Sequence, residues 1–169
     1  MSSRHNLLFV ILFALPLLAN ALESDREQPI HVHADWAEMD RVKGISLYRG
    51  DVVLDQGSLH IEADWVRVYH QNDELEYIES EGRPVRFRQR PEGAAEDVEG
   101  EALQLDYYAL EDRIQLRQDA WVQHDGDRFS GEQIDYDIMG NRVNASSEGK
   151  YSGRIHAIIQ PRSDEKKRP

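Results

Sequence analysis

The chain contains no cysteine, so no disulfide can staple it and no thiolate can act as a nucleophile or soft metal ligand. Basic residues are few beside acidic ones: 20 Lys and Arg against 32 Asp and Glu, a formal net charge of −12. A surface of that sign argues against nucleic acid as a partner, because phosphate binding needs clustered Lys and Arg. Helix signals are nearly absent. Residues 92 to 106 are rich in Glu and Ala, yet Leu103, Leu105 and Tyr107 alternate at period two, which predicts strand at that end. The sequence also has no Gly-x-Ser-x-Gly elbow and no phosphate-binding glycine loop. These absences predict a protein that is not an enzyme and that holds no cofactor.

Long apolar runs are missing too. The run at residues 7 to 18 falls short of the roughly 20 residues that span a bilayer. It follows Arg4 and His5 and precedes Ala19-Asn20-Ala21, a small-any-small cleavage pattern, so residues 1 to 21 are expected to be a secretory signal peptide. With no cysteine after that site, a lipid-modified terminus is excluded. An exported chain without disulfides must hold together by ladder hydrogen bonds and apolar burial, which suits a bacterial envelope protein. Residues 22 to 160 are expected to form one domain, and residues 161 to 169, with Lys166-Lys167-Arg168, a charged flexible tail.

What the sequence does have is repetition. Ile61-Glu62-Ala63-Asp64-Trp65-Val66-Arg67-Val68 has counterparts at Val32 to Met39, Val98 to Leu105 and Phe129 to Tyr136. Each reads apolar, any, small, acidic, any, apolar, any, apolar. That is strand alternation with one change of parity, since Ile61 and Ala63 are odd while Val66 and Val68 are even. Successive strand side chains point to opposite faces, so the Ala/Gly-Asp/Glu pair predicts a bulge or corner. A small residue lets strands approach there, and the acid can accept hydrogen bonds that the disturbed ladder leaves free. The corners at Ala34, Ala63, Gly100 and Gly131 are spaced as in stacked arrays. Gly50 and Gln118 precede the second and fourth corners by equal distances. Stacked corners would crease a long antiparallel sheet into two facing halves.

Turn signals recur at Lys43-Gly44, Asp55-Gln56-Gly57, Gln71-Asn72-Asp73, Glu81-Gly82-Arg83-Pro84, Pro91-Glu92-Gly93, Glu111-Asp112, Asp125-Gly126-Asp127, Met139-Gly140-Asn141 and Glu148-Gly149. With strands of ~5 to 6 residues, there is room for about 16 strands in an all-β antiparallel architecture.

Several of these stretches occur in an order that resembles a known family. Gln28-Pro29-Ile30-His31-Val32 stands ahead of the first corner. Tyr48-Arg49-Gly50-Asp51-Val52 with Gln56-Gly57, the second corner, Gly82-Arg83-Pro84-Val85-Arg86-Phe87 and Val98-Glu99-Gly100 follow. Together they resemble the OstA-like family of periplasmic lipopolysaccharide-transport proteins. The resemblance implies a creased antiparallel β-jellyroll in the periplasm that carries lipopolysaccharide from the inner to the outer membrane. It also implies head-to-tail contact with like-folded domains of inner- and outer-membrane partners. By position in the family's motifs it implies lipid contact at Ile30, Phe87 and Tyr107.

The physics of such a cargo fits an apolar crease. Exposing acyl chain to water costs ~0.8 kcal/mol per CH₂, or about 8 kcal/mol for a chain on the order of ten carbons. The residues expected to line the crease and contact lipid are Ile30, Val32, Val52, Leu54, Ile61, Val66, Val68, Phe87, Leu103, Leu105, Tyr107, Leu116, Phe129, Ile134 and Tyr136. Met39, Leu59, Val85 and Ile114 are expected to point inward with them. Read from pattern alone, alternating apolar residues like these are usually the core of a sandwich, and it is the family resemblance that turns the preference toward lipid contact.

Other constellations carry less. Asp35, Asp64, Glu101 and Glu132 recur in register, but one acid per repeat is a corner residue rather than a calcium cage. His31 and His33 share a strand face without a third ligand nearby, and Asp125-Gly126-Asp127 reads as a hairpin turn. No metal is expected. A periplasmic polysaccharide-binding sandwich, with Trp36, Trp65 and Trp121 as sugar-stacking platforms on an outer face, is the rival reading, and a structural spacer without ligand is a third.

Overall fold

Between its turn signals the chain alternates apolar and polar residues, and each such run forms a strand that buries one face. The computed structural model describes residues 25–72, 74–147 and 153–161. The expected signal peptide, the Glu148-Gly149 turn and the tail beyond Pro161 lie outside them. The strands are β1 (His31–His33), β2 (Trp36–Asp40), β3 (Ile45–Gln56), β4 (Leu59–Gln71), β5 (Glu74–Gln89), β6 (Val98–Tyr108), β7 (Arg113–His124), β8 (Asp127–Asp137), β9 (Arg142–Ser146) and β10 (His156–Ile158). Short 3₁₀ turns occupy Asp25–Glu27 and Ala109–Glu111. Every pairing is antiparallel. The order is β1-β3-β4-β5-β6-β7-β8-β10, with β2 also on β3 and β9 also on β8.

Each central ladder slips near its middle, and the β4–β5 ladder slips a second time between Tyr69 and His70. The middle slips fall between Arg49 and Val52 on β3, Glu62 and Trp65 on β4, Glu81 and Val85 on β5, Glu101 and Gln104 on β6, and Arg117 and Ala120 on β7. On β4 the slip is the expected change of parity: Leu59, Ile61 and Ala63 are buried before it, Val66 and Val68 after it. On β3 and β7 the irregularity takes two successive residues of positive φ, Gly50 and Asp51 at 82° and 42°, then Gln118 and Asp119 at 66° and 52°. Such left-handed residues are a common way to build a bulge. The middle slips are stacked strand on strand, so they form one line across the sheet.

The sheet folds along that line. The rings of His124 and Tyr136 have centroids 6.4 Å apart, although His124 pairs with Asp127 at the far end of β8. In a flat sheet the two would be about 30 Å apart. The fold also sets Leu116 of one half beside Gly100 of the other. One continuous buried cluster from Val52 to Ile138 fills the space between the halves, so a single sheet supplies both layers of its own sandwich.

Three details differ from the sequence reading. The structure has ten strands among the described residues rather than about 16. Strands β3 to β8 run 11 to 16 residues straight through the crease, and a reading based on ordinary strand lengths counts each of them twice. Gly82-Arg83-Pro84 is not a turn between strands but the corner inside β5. The third corner lies at Ala102-Leu103, two residues beyond Gly100-Glu101. Gly100 is small for a different reason: a Cβ there would stand 2.5 Å from the Trp121 carbonyl oxygen and 2.7 Å from the Phe87 ring.

Candidate functional site

Columns of apolar side chains from both halves meet inside the crease. Val52, Leu54, Ile61, Val66, Val68, Phe87, Leu105, Tyr107, Leu116, Ile134 and Tyr136 are all buried there, none more than 2% exposed. Ile30, Val32 and Phe129 are half-buried and pack against this cluster. Leu103 is also half-buried but stands outside the cluster, because the corner of β6 falls on it and turns it off the inward parity. Leu59, Val85 and Ile114 join the interior. Met39 lies opposite buried Ser46 on the ladder yet is 58% exposed, since it occupies an edge strand.

At the rim of the first half the apolar columns end in amides. Val52 and Leu54 lead to Gln56, and Val85 and Phe87 lead to Gln89; both glutamines are buried. Their partners come from the segment just before β1. Gln56 Nε2 donates to the carbonyls of Arg26 and Gln28 at 3.2 and 3.1 Å, and Gln89 Nε2 donates to Asp25 Oδ2 at 3.3 Å. Asp25 also accepts from the Ser58 N–H at 2.9 Å and from the Ser58 hydroxyl at 2.5 Å. Arg26 reaches the other way, donating to the Ala109 carbonyl at 2.9 Å and to Asp112 at 3.0 Å, on the rim of the second half. The sequence reading missed this segment. Its signal was a glutamine at the inward parity, where a buried amide demands partners.

Two buried tyrosines, Tyr107 and Tyr136, bring hydroxyls into the interior. Burial pushes the Tyr107 hydroxyl up to about 12; Asp112 pushes the same way, Arg26 opposes it and Asp25 adds to it. Tyr136 is likewise pushed up to about 12 by burial, then by Asp125 and Asp137 on the two opposite rims. Its hydroxyl has no hydrogen-bond partner among the described residues. Apart from these hydroxyls, those of buried Ser46 and Ser80, the His124 ring beside Tyr136 and a few rim amides, the crease offers hydrocarbon surface, suited to holding an apolar chain.

The outer face is polar and internally paired. Glu101 binds Arg86 at 2.9 Å and accepts from the Trp121 indole at 3.2 Å, while Asp64 faces Arg83 at 3.6 Å. These two corner acids therefore pair across strands instead of serving the disturbed ladder. His60 lies between Asp55 at 2.6 Å and Glu62 at 3.4 Å, and His31 and His33 are exposed on β1. Trp36, Trp65 and Trp121 are on the outer face, where the polysaccharide reading needs them, with Arg49, Arg67 and Arg128 over their rings at 5.2, 5.3 and 3.7 Å. A sugar would have to displace those guanidinium groups to stack.

Comparison with known proteins bears on this geometry. Residues 31–142 match the family model described as the LptA/(LptD N-terminal domain) LPS transport protein. The chain is 37% identical over 154 residues to the lipopolysaccharide export system protein LptH of Pseudomonas aeruginosa, covering 86% of each. It is 30% identical over 153 residues to the lipopolysaccharide export system protein LptA of Escherichia coli K12, covering 89% of this chain and 80% of that one. The crystal structure of Pseudomonas aeruginosa LptH, described as the LptA-homologous periplasmic component of the lipopolysaccharide transport device, superposes with a TM-score of 0.75 at 35% identity. That match covers 82% of this chain and all of the other. A creased, open antiparallel sheet with an apolar interior and these relatives lead to one assignment: the chain belongs to the LptA and LptD N-terminal domain family of lipopolysaccharide transport proteins.

Proposed function

We propose that this protein carries lipopolysaccharide across the periplasm, with acyl chains held in the crease and the polysaccharide outside it. The observation that carries this reading is the interior itself: one apolar cluster to which every strand from β3 to β8 contributes, inside a sheet with two free edges. Ile30, Val32, Val52, Leu54, Ile61, Val66, Val68, Phe87, Leu105, Tyr107, Leu116, Phe129, Ile134 and Tyr136 are the proposed lipid contacts; Leu103 meets lipid only at the corner. Because these side chains pack against one another, cargo must take over contacts that now join the halves. Each large apolar side chain is worth about 1.5 to 3 kcal/mol when buried, so exchanging protein contacts for acyl contacts can be nearly even.

Export by a cleaved signal at residues 1 to 21 would place the protein in the periplasm. Its sheet ends at β1 and β2 on one side and at β9 and β10 on the other. Unpaired edges are templates for a further strand. Joining the last edge of one copy to the first edge of the next is heterologous, so it repeats without closing. Like-folded domains of inner- and outer-membrane transport proteins would cap the row by the same contact.

A photoreactive residue in place of Phe87 is expected to crosslink to added lipopolysaccharide, and one in place of the outward Arg86 is not. The reverse pattern would reject the crease as the site. O-antigen polysaccharide without acyl chains should fail to compete; full competition would favour the outer-face polysaccharide reading. For assembly, sedimentation should show concentration-dependent association weakened by Ile155→Pro or Ile158→Pro, since proline removes a ladder donor or strains the strand. A strict monomer at high concentration would leave a lone carrier.

A further inference from the structure

Opposite the fold line, the rims of the two halves leave a lateral gap, and residues 25–28 cross it. Their attachment is lopsided. On the first rim Asp25 and the backbone of Arg26 and Gln28 are held by Ser58, Gln56 and Gln89. On the second rim the Arg26 side chain meets the Ala109 carbonyl and Asp112 in the hairpin between β6 and β7. That side chain is 41% exposed. An ion pair so open to water is readily exchanged.

A lipid that ends in a long polar chain constrains how it can travel. Its acyl part can slide along an apolar crease only if the polar part hangs out through a continuous slot, because a hydrated polysaccharide cannot be drawn through a dry interior. The lateral gap is the slot that this fold provides. A segment lying across it stands in the path of any such cargo, and Tyr107, 1% exposed, lies beneath it.

We propose that residues 25–28 form a releasable strap over the gap with Arg26 as its bolt, and that acyl chains enter and pass sideways when Arg26 leaves Asp112. The backbone of the strap stays held on the first rim, so opening needs only the Arg26 side chain to swing away from the second rim, and the sheet does not unfold. This rests on the proposed lipid-carrier reading and adds a gate to it.

The chain has no cysteine, so Arg26→Cys with Asp112→Cys gives two unique thiols. In the full chain they can be bridged by a bis-methanethiosulfonate reagent and freed by reductant. Purified lipopolysaccharide is the probe, read by photocrosslinking at position 87. Uptake should slow at least tenfold in the bridged protein and recover on reduction, while thermal unfolding of the reduced variant shows that it is folded. Equal uptake before and after reduction would overturn the strap and leave the carrier reading intact. No crosslink in either state, nor in the unbridged parent, would instead overturn the carrier reading. Arg26→Ala should load two- to fivefold faster than the parent; slower loading would show that Arg26 binds cargo rather than bars it.

Discussion

Gly100 lies directly across the β5–β6 ladder from Phe87, and the phenyl ring occupies the space that a side chain at position 100 would need. Leu116 comes in from the facing half to within 3.2 Å of the same point. A phenylalanine among the candidate lipid contacts of the first half is therefore seated by an absent side chain, on a strand where the sequence reading placed a corner.

Gly100→Ala is expected to destabilise the protein by about 2 kcal/mol, because the Trp121 carbonyl is backbone and cannot step aside. Chemical denaturation measures this directly. A midpoint equal to the parent's would mean that the interior yields more easily than its burial implies.

Gly131 tests the corner of β8. A Cβ there would stand 2.9 Å from the Ser146 carbonyl oxygen on β9, so Gly131→Val should cost more than about 1 kcal/mol and loosen the pairing of β9. Hydrogen exchange at residues 142 to 146 should rise with the loss of stability. Unchanged protection there would reject the corner reading.

Tyr136→Phe should raise stability by about 1 kcal/mol, since the change removes a buried hydroxyl that has no partner among the described residues. Thermal unfolding of the lipid-free protein is the measurement. A lower midpoint would reveal a partner to that hydroxyl in solution.

Alkaline pH should open the crease. An unfolded tyrosine ionises near pH 10, whereas Tyr107 and Tyr136 keep their protons up to about 12. Between those values the unfolded chain has released protons that the folded chain retains. Stability is therefore whole below pH 10 and falls as pH rises through about 12, by an amount on the order of 5 kcal/mol for the two residues together. Tyrosinate absorbance and loss of the β circular-dichroism signal should rise together in that window. Full ionisation near pH 10 with the sheet intact would contradict it.

The repeated eight-residue pattern carried most of the architecture, because period-two alternation and its change of parity report which face each residue takes on either side of a bend. Ile61, Ala63, Val66 and Val68 behave as that pattern requires. It misled at Gly100, where smallness answers a neighbour's bulk rather than a bend, and no pattern along one strand can tell those two causes apart. Leu103 followed from the same displacement. The strap at residues 25–28 stayed hidden because its partners are far away in the chain: Arg26 and Ala109 meet only once the sheet has folded. Tryptophans on the outside were foreseen as a possibility, but not the arginines that cover them, since cross-strand neighbours depend on register.

The free edges of the sheet are each made of two pieces, three-residue β1 with five-residue β2 on one side, three-residue β10 with five-residue β9 on the other. The short pieces belong to one half of the crease and the longer ones to the other, so the two ends match in length when stacked. In the proposed head-to-tail row, a joint between copies would consist of two ladders set at an angle, like a keyed shaft. Turning one copy about either ladder tears the other, so such a row would resist torsion far better than a single strand-to-strand contact, and the slot of each molecule would stay aligned with that of the next.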